Sequence, residues 1–216
     1  MSPLLIKVQN TLAMTYDAAI NFLKQSDPIL GQLIEQIGPC QLDAAQQHGD
    51  LFSSLSRAII HQQLSTKAAA SIYRRFLQLY PHQPFPTALD ILNAQDELLR
   101  SVGLSRAKVL YLKDLAQKIL AGLPTIVELE AMDDEAIIQT LTQVKGIGRW
   151  TVQMLLIFRL NRQDILPVDD LGVRAGIKKV YVLQELPDKH TVLRLGQKWK
   201  PYCTVASWYL WRSLEL

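Results

Sequence analysis

Cysteine is scarce in this chain: Cys40 and Cys203 are its two thiols, and they form no CxxC pair. A structural zinc or an iron–sulfur cluster takes about four protein ligands, so neither is expected. The thiols read as small, reduced, partly buried side chains of an intracellular protein. No apolar run reaches the roughly 18 residues of a membrane span. The opening stretch MSPLLIKVQNTLAMTYDAAI has an early Pro3 and scattered polar groups where a secretory signal has an unbroken apolar core. Charge of one sign is lacking too. Against 20 acidic residues stand 23 basic ones, a net +3 that permits a nucleic-acid partner without demanding one. Nowhere does apolar/polar alternation persist between hairpin turns, so strands are not expected. Internal repeats and low-complexity tracts are missing as well. What remains is ordinary: 216 residues, 49% hydrophobic and 20% charged, enough for one large domain or two lobes with a real core.

Apolar spacing and helix punctuation divide that core into helices. Asp17–Lys24 and Pro28–Ile37 are short amphipathic segments ending near Gly38-Pro39. Leu51–Ile60 carries apolar side chains at 51, 52, 55, 58 and 59, one buried helix face. The polar break His61-Gln62-Gln63-Leu64 precedes Ser65, an N-cap for a helix running to about Tyr80 and stopped by Pro81. Thr87 with Asp90 forms a capping box, and Gly103 closes Gln95–Val102. Ser105 caps a helix to Ala121, and Asp133 caps one to about Gln143. Arg149–Leu160, a helix opened by Asp169 after a loop, Asp188–Trp199 and Tyr202–Ser213 complete an all-α chain.

The most informative string is Leu141–Thr151, LTQVKGIGRWT. Gly146 and Gly148 make a turn tight enough to present backbone N–H groups, and the helix from Arg149 points its positive end at the same place. Such a turn can grip a phosphate without reading base sequence. On spacing alone a bland reading is as good: Gly146 closes one helix and Gly148 relieves crowding before the next. Downstream, Pro167–Asp170 places two carboxylates before a helix, where capping favours them. The adjacent glutamines Gln62 and Gln63 are of a type usually just solvated.

Taken together, these strings resemble the helix–hairpin–helix DNA glycosylase superfamily, in its alkylbase branch of 3-methyladenine DNA glycosylase II proteins. The likeness continues through IIHQQLSTKAA at Ile59–Ala69, GLSRAKVLYLKDLA at Gly103–Ala116 and WKPYCTVASWYLW at Trp199–Trp211, most of the chain from about residue 50 onward. The resemblance implies two helical lobes with a catalytic cleft between them, one of residues 51–160 and one of 1–50 with 161–216. The stretch before Leu51 is too short for the N-terminal β domain of the bacterial enzyme, which implies the compact all-helical type of yeasts and many bacteria.

The same resemblance assigns roles. Asp170 matches the catalytic aspartate, while Asp169 is expected only to cap. Trp150 and Trp211 align with aromatic residues of the base pocket, and Phe158 is a weaker candidate there. Met154 and Leu171 stand where the bacterial relative has tyrosines. Trp199 and Trp208 are expected in the core, and His61 is expected to be partly buried. Gln63, with Gln62 beside it, falls at the wedge that fills the gap left by an extruded base; Ser65 probes the minor groove, serves as N-cap, or does both. Lys145, Gly146, Ile147, Gly148 and Arg149 form the phosphate-binding hairpin. Trp150 occupies the place of the nucleophilic lysine in bifunctional members, so strand cleavage is not expected.

The chemistry is consistent with a lone carboxylate. Breaking an N-glycosidic bond leaves positive charge on the sugar, which a nearby anion stabilises while orienting the attacking water. An alkylated purine already carries positive charge and leaves without a second acid. The expected function is therefore excision of alkylated purines such as 3-methyladenine and 7-methylguanine in base excision repair, by base flipping and hydrolysis. No cofactor and no catalytic metal are implied. The expected partner is double-stranded DNA containing alkylated bases, met by a monomer away from membranes. The expected place is the cytoplasm or nucleoid of a bacterium or the nucleus of a eukaryote, not outside the cell. A non-catalytic protein binding abasic or distorted DNA, and a glycosylase for oxidised or deaminated bases, are the alternatives.

Overall fold

Short polar side chains punctuate this fold, and every regular element they bound among the described residues is helical. The structure is a computed structural model and describes residues 16–45 and 49–216. Most of the opening stretch weighed above as a signal sequence lies outside them. Residues 16–26 form α1. Asp27 caps α2 (Pro28–Ile37), and Asp50 caps α3 (Leu51–His61). Ser65 caps α4 (Thr66–Gln78), and a Thr87/Asp90 capping box opens α5 (Ala88–Asn93). Next come α6 (Asp96–Ser101) and α7 (Arg106–Leu120), the latter capped by Ser105. The sequence reading passes over α8 (Ile126–Glu130), although Thr125 and Glu128 form a reciprocal capping box there. Asp133 caps α9 (Asp134–Leu141), and α10 is Arg149–Phe158. The chain closes with α11 (Leu171–Val180), α12 (Lys189–Gly196) and α13 (Cys203–Ser213). Each side-chain cap satisfies an N–H that the helix itself leaves open, and replacing one by Ala costs about 1 kcal/mol.

One expectation is corrected. Asp170, not Asp169, caps α11: its carboxylate accepts from the Val173 N–H at 2.7 Å, one residue later than the sequence suggests. Capping selects the extended residue immediately before the helix, and two adjacent aspartates look alike in sequence.

The chain divides into two compact units, one of Met1–Gln46 with Leu156–Leu216 and the other of Gln47–Leu155, the division falling inside α10. In the first unit α13 packs on α2 and α11. Residues Cys203 to Leu210 of α13 are all buried, which suits a central helix apolar on most sides. Gly176 of α11 sits against the Leu210 backbone, where a Cβ would meet the carbonyl carbon at 2.9 Å. Trp199 and Trp208 lie in this core. The buried Asp27 carboxylate takes hydrogen bonds from the Tyr181 hydroxyl at 2.6 Å and the Trp199 indole at 3.1 Å. That pairing removes the penalty of a lone buried charge and joins three distant segments. In the second unit α7 packs against α3, α5 and α6 through Val109, Leu112, Leu115 and Ala116, the spacing of one helix face. Burying each such Leu or Val fully contributes about 1.5–3 kcal/mol. Both cysteines are free, and burial pushes the Cys40 thiol up to about 11, so it is not an activated nucleophile. None of the described helices is long and apolar enough to cross a membrane.

Candidate functional site

The Asp170 corner begins with a turn. The Asp170 N–H donates to the Pro167 carbonyl at 3.0 Å, which turns the chain immediately before α11. The carboxylate then meets two N–H donors through Oδ1. Oδ1 accepts from the Val173 N–H at 2.7 Å and from the Trp211 indole N–H at 2.8 Å. Asp170 is only 9% exposed, whereas neighbouring Asp169 lies at the surface and pairs with Lys189 at 3.4 Å. Two adjacent acids thus have opposite environments, and the buried one has its orientation determined by the fold.

Trp211 owes its place to a glycine. A Cβ on Gly172 would lie 2.8 Å from Trp211 Cδ1, 3.0 Å from its Nε1 and 3.1 Å from Asp170 Oδ1. Any larger residue must displace the indole or the carboxylate. Phe158 stacks on the same indole, with ring centroids 5.8 Å apart and planes 24° from parallel. Phe158 and Trp211 are both half-buried. The structure therefore brings Asp170, Trp211 and Phe158 together in one unit. Leu171 beside them is exposed and Met154 half-buried.

The second unit holds the hairpin. Gly146 has φ +80°, a conformation that favours glycine, and the Tyr111 ring occupies the space a Cβ would need. Ile147 is buried and its N–H donates to Val144 at 3.0 Å, which anchors the turn. Gly148 differs: a Cβ there would meet nothing within 4 Å, so its backbone is open to approach. The Val152 N–H donates to the Gly148 carbonyl at 3.2 Å and starts α10, whose first N–H groups have no partner within the helix itself. Trp150, on that first turn, is 47% exposed.

Both hairpin cations face protein carboxylates. Asp114 accepts the Lys145 backbone N–H at 2.9 Å and pairs with its ammonium at 3.6 Å. Glu135 receives two bonds from the Arg149 guanidinium, at 3.0 and 2.6 Å. That bond holds the Glu135 carboxyl below its ordinary range. Sequence reasoning missed Asp114 and Glu135, because their partners lie 31 and 14 residues away and leave no local signal.

The break after α3 separates the two glutamines. Gln62 donates its side-chain amide to the Gly146 carbonyl at 2.8 Å. Gln63 is exposed, with φ +56°, a left-handed conformation costing a non-glycine residue about 1–2 kcal/mol. Ser65 is the α4 N-cap, accepting from Ala68 at 3.4 Å, and is exposed. His61 is half-buried, edge-on to Tyr73 at 5.8 Å, and burial followed by the charges of Arg57 and Lys108 lowers its pKa. Lys108 and Gly172 both escape the sequence reading of the site, although GLSRAKVLYLKDLA contains Lys108 and Gly172 stands two residues after Asp170. Among the described residues, no group of three or more His, Cys, Asp or Glu side chains is placed to hold a metal ion.

A family model described as HhH-GPD superfamily base excision DNA repair protein matches residues 56–201. DNA-3-methyladenine glycosylase 1 of Schizosaccharomyces pombe is 39% identical over 186 residues, spanning 86% of this chain and 82% of its own. The alkylbase DNA glycosidase-like protein mag2 of the same yeast is 34% identical over 203 residues, 93% of this chain and 95% of its own. Among solved structures, S. pombe Mag1 in complex with abasic DNA matches with a TM-score of 0.85 at 38% identity, covering 92% of this chain and 97% of that one. A DNA-3-methyladenine glycosidase from Bacillus halodurans matches with a TM-score of 0.79 at 35% identity, covering 90% and 88%.

Proposed function

The chain belongs to the HhH-GPD superfamily of base excision DNA repair proteins, and within it we propose that the protein is a monofunctional DNA glycosylase. Its substrates are alkylated purines, 3-methyladenine and 7-methylguanine, in double-stranded DNA. The observation that carries this reading is the buried Asp170 carboxylate, oriented by Val173 and by the indole of Trp211. The names of the relatives, glycosylases of 3-methyladenine, supply the substrate class.

In this mechanism the open backbone around Gly148 and the first N–H groups of α10 bind a DNA phosphate, a contact that positions without reading sequence. Gln63 fills the gap left when the damaged nucleotide turns out of the stack. The indole faces of Trp150 and of Trp211 each suit a cationic ring, a contact worth about 0.5–2 kcal/mol. Asp170 stabilises the positive charge that grows on the sugar as the C1′–N bond breaks, and it orients the water that adds to C1′ and accepts the proton that water loses. The purine leaves as a neutral base because alkylation had already charged it. Trp150 has no amine with which to attack the sugar, so the product is an abasic site in an uncut strand. The protein acts as a monomer wherever the genome is, in the nucleoid or the nucleus, with no metal or cofactor in the reaction.

Methylated duplex DNA tests the reading. Wild type should release methylated purines and Asp170→Asn should not. No release by wild type, or undiminished release by Asp170→Asn, overturns it. Borohydride should trap no covalent complex; a trapped complex with strand nicking would contradict the role given to Trp150.

A further inference from the structure

Gln62 and Gln63 are neighbours whose side chains are treated differently, and the cause lies on α7. The Lys108 ammonium donates to the Ile60 and Gln62 carbonyls, each at 2.8 Å. These are among the last carbonyls of α3, which no later helical N–H can satisfy, and a cation suits that negative helix end. The Gln62 amide meanwhile donates to Gly146 O, 84 residues away in sequence. Residue 62 is therefore gripped at both ends, its backbone by α7 and its side chain by the hairpin turn. Gln63 follows at once with φ +56° and stands exposed. Unlike Val182, which is left-handed with its side chain in the open, Gln63 follows a residue tied to two other segments.

We propose that Lys108 is a positioning residue for Gln63. With Gln62 it fastens the break between α3 and α4 to the hairpin, and so presents Gln63 in the outward conformation from which it enters DNA. The entry itself rests on the function proposed above; the bracket does not. Gln62 is a part of this bracket and not a second wedge. One consequence is mechanical: the turn that would grip the phosphate and the side chain that would fill the stack belong to one hydrogen-bonded piece, so gripping the backbone sets the depth of insertion. Lys108 is part-buried, and burial lowers its pKa, so its charge is held at a cost that an exposed lysine would not meet.

A double-mutant cycle of Lys108→Met and Gln63→Ala in the full chain tests this. The readout is fluorescence of 2-aminopurine beside an abasic site in duplex DNA, with affinity for undamaged duplex as the control. Lys108→Met should reduce the insertion signal about tenfold, as small misplacements of a working group do, while undamaged-duplex affinity changes less than about twofold. In the Gln63→Ala background its further effect should be below about twofold, because the two residues act as one unit. Multiplicative losses, or a wild-type signal from Lys108→Met, would overturn the proposal. Should Lys108→Met fold poorly, Gln62→Ala cuts the other arm and should show the same dependence on Gln63. Melting temperature gives a reading independent of DNA. Lys108→Met should lower it more in a Gln63→Gly background, where φ +56° carries no strain to be released when the bracket opens, and an equal drop in both backgrounds counts against the bracket. A wild-type protein that releases no methylated base, with this non-additivity intact, would sink the glycosylase reading and leave the bracket standing.

Discussion

The Asp170 corner and the Gly146 hairpin both set functional groups at the start of a helix, and they are built in opposite ways. At the corner the proposed working group is a side chain, and the fold buries it, ties Oδ1 to two donors and clears space for Trp211 over Gly172. At the hairpin the proposed working group is backbone: Gly148 is open, and Lys145 and Arg149 pair with Asp114 and Glu135. Orienting an anion for bond cleavage needs a rigid, mostly dry setting. Holding a phosphate needs approach and some charge, and exposed ion pairs worth about 0–1 kcal/mol can be exchanged for a DNA contact.

Changing one atom of the corner should have the largest effect. Asp170→Asn should lower base release by about 10²–10³-fold, while stability changes little because Asn caps a helix as well as Asp does. Single-turnover release and a urea melt together check this. Gly172→Ala comes next. The methyl group forces Trp211 or the carboxylate aside, so release should drop by about tenfold and stability by about 1–3 kcal/mol, the usual cost of overpacking. At the hairpin the effect should be smaller and opposite in sign. Glu135→Gln removes the carboxylate charge that faces Arg149, so undamaged-duplex affinity should rise a few-fold and its salt dependence should steepen by up to about 0.9 in log–log slope. An unchanged slope would show that Arg149 does not meet phosphate. The smallest effect contrasts two strained residues. Val182, past the end of α11, has φ +54° and is 87% exposed, so Val182→Gly should raise stability by about 1 kcal/mol with release unchanged. A loss of release would mean that strain at Val182 is coupled to Asp170.

Local punctuation was legible and long-range contacts were not. Ser65, Thr87, Ser105 and Asp133 cap the helices their positions suggest, because an N-cap bonds an N–H only two or three residues ahead. The same rule put the cap at Asp169, one residue too early, since two adjacent aspartates could each cap. The Thr125/Glu128 box was present in the sequence and passed over. Gln62 could not be told from Gln63 because its partner, Gly146, is remote in the chain. Gly172 gave no sign of its purpose, because the indole it makes room for comes 41 residues after Asp170, the acid that indole bonds.

By itself, then, the sequence determined that the chain is helical, that its motifs are those of its superfamily, and that Asp170 is the acid to examine. Periodicity, caps and the Gly-Ile-Gly turn are properties of neighbouring residues, so they can be read along the chain. Only the tertiary structure decided that Val173 and Trp211 both bond Oδ1 of Asp170, that Gln62 reaches the Gly146 carbonyl, and that Lys108 bonds the carbonyls at the break beside it. Those facts are distances between segments far apart in sequence, and they exist only once packing brings the segments together.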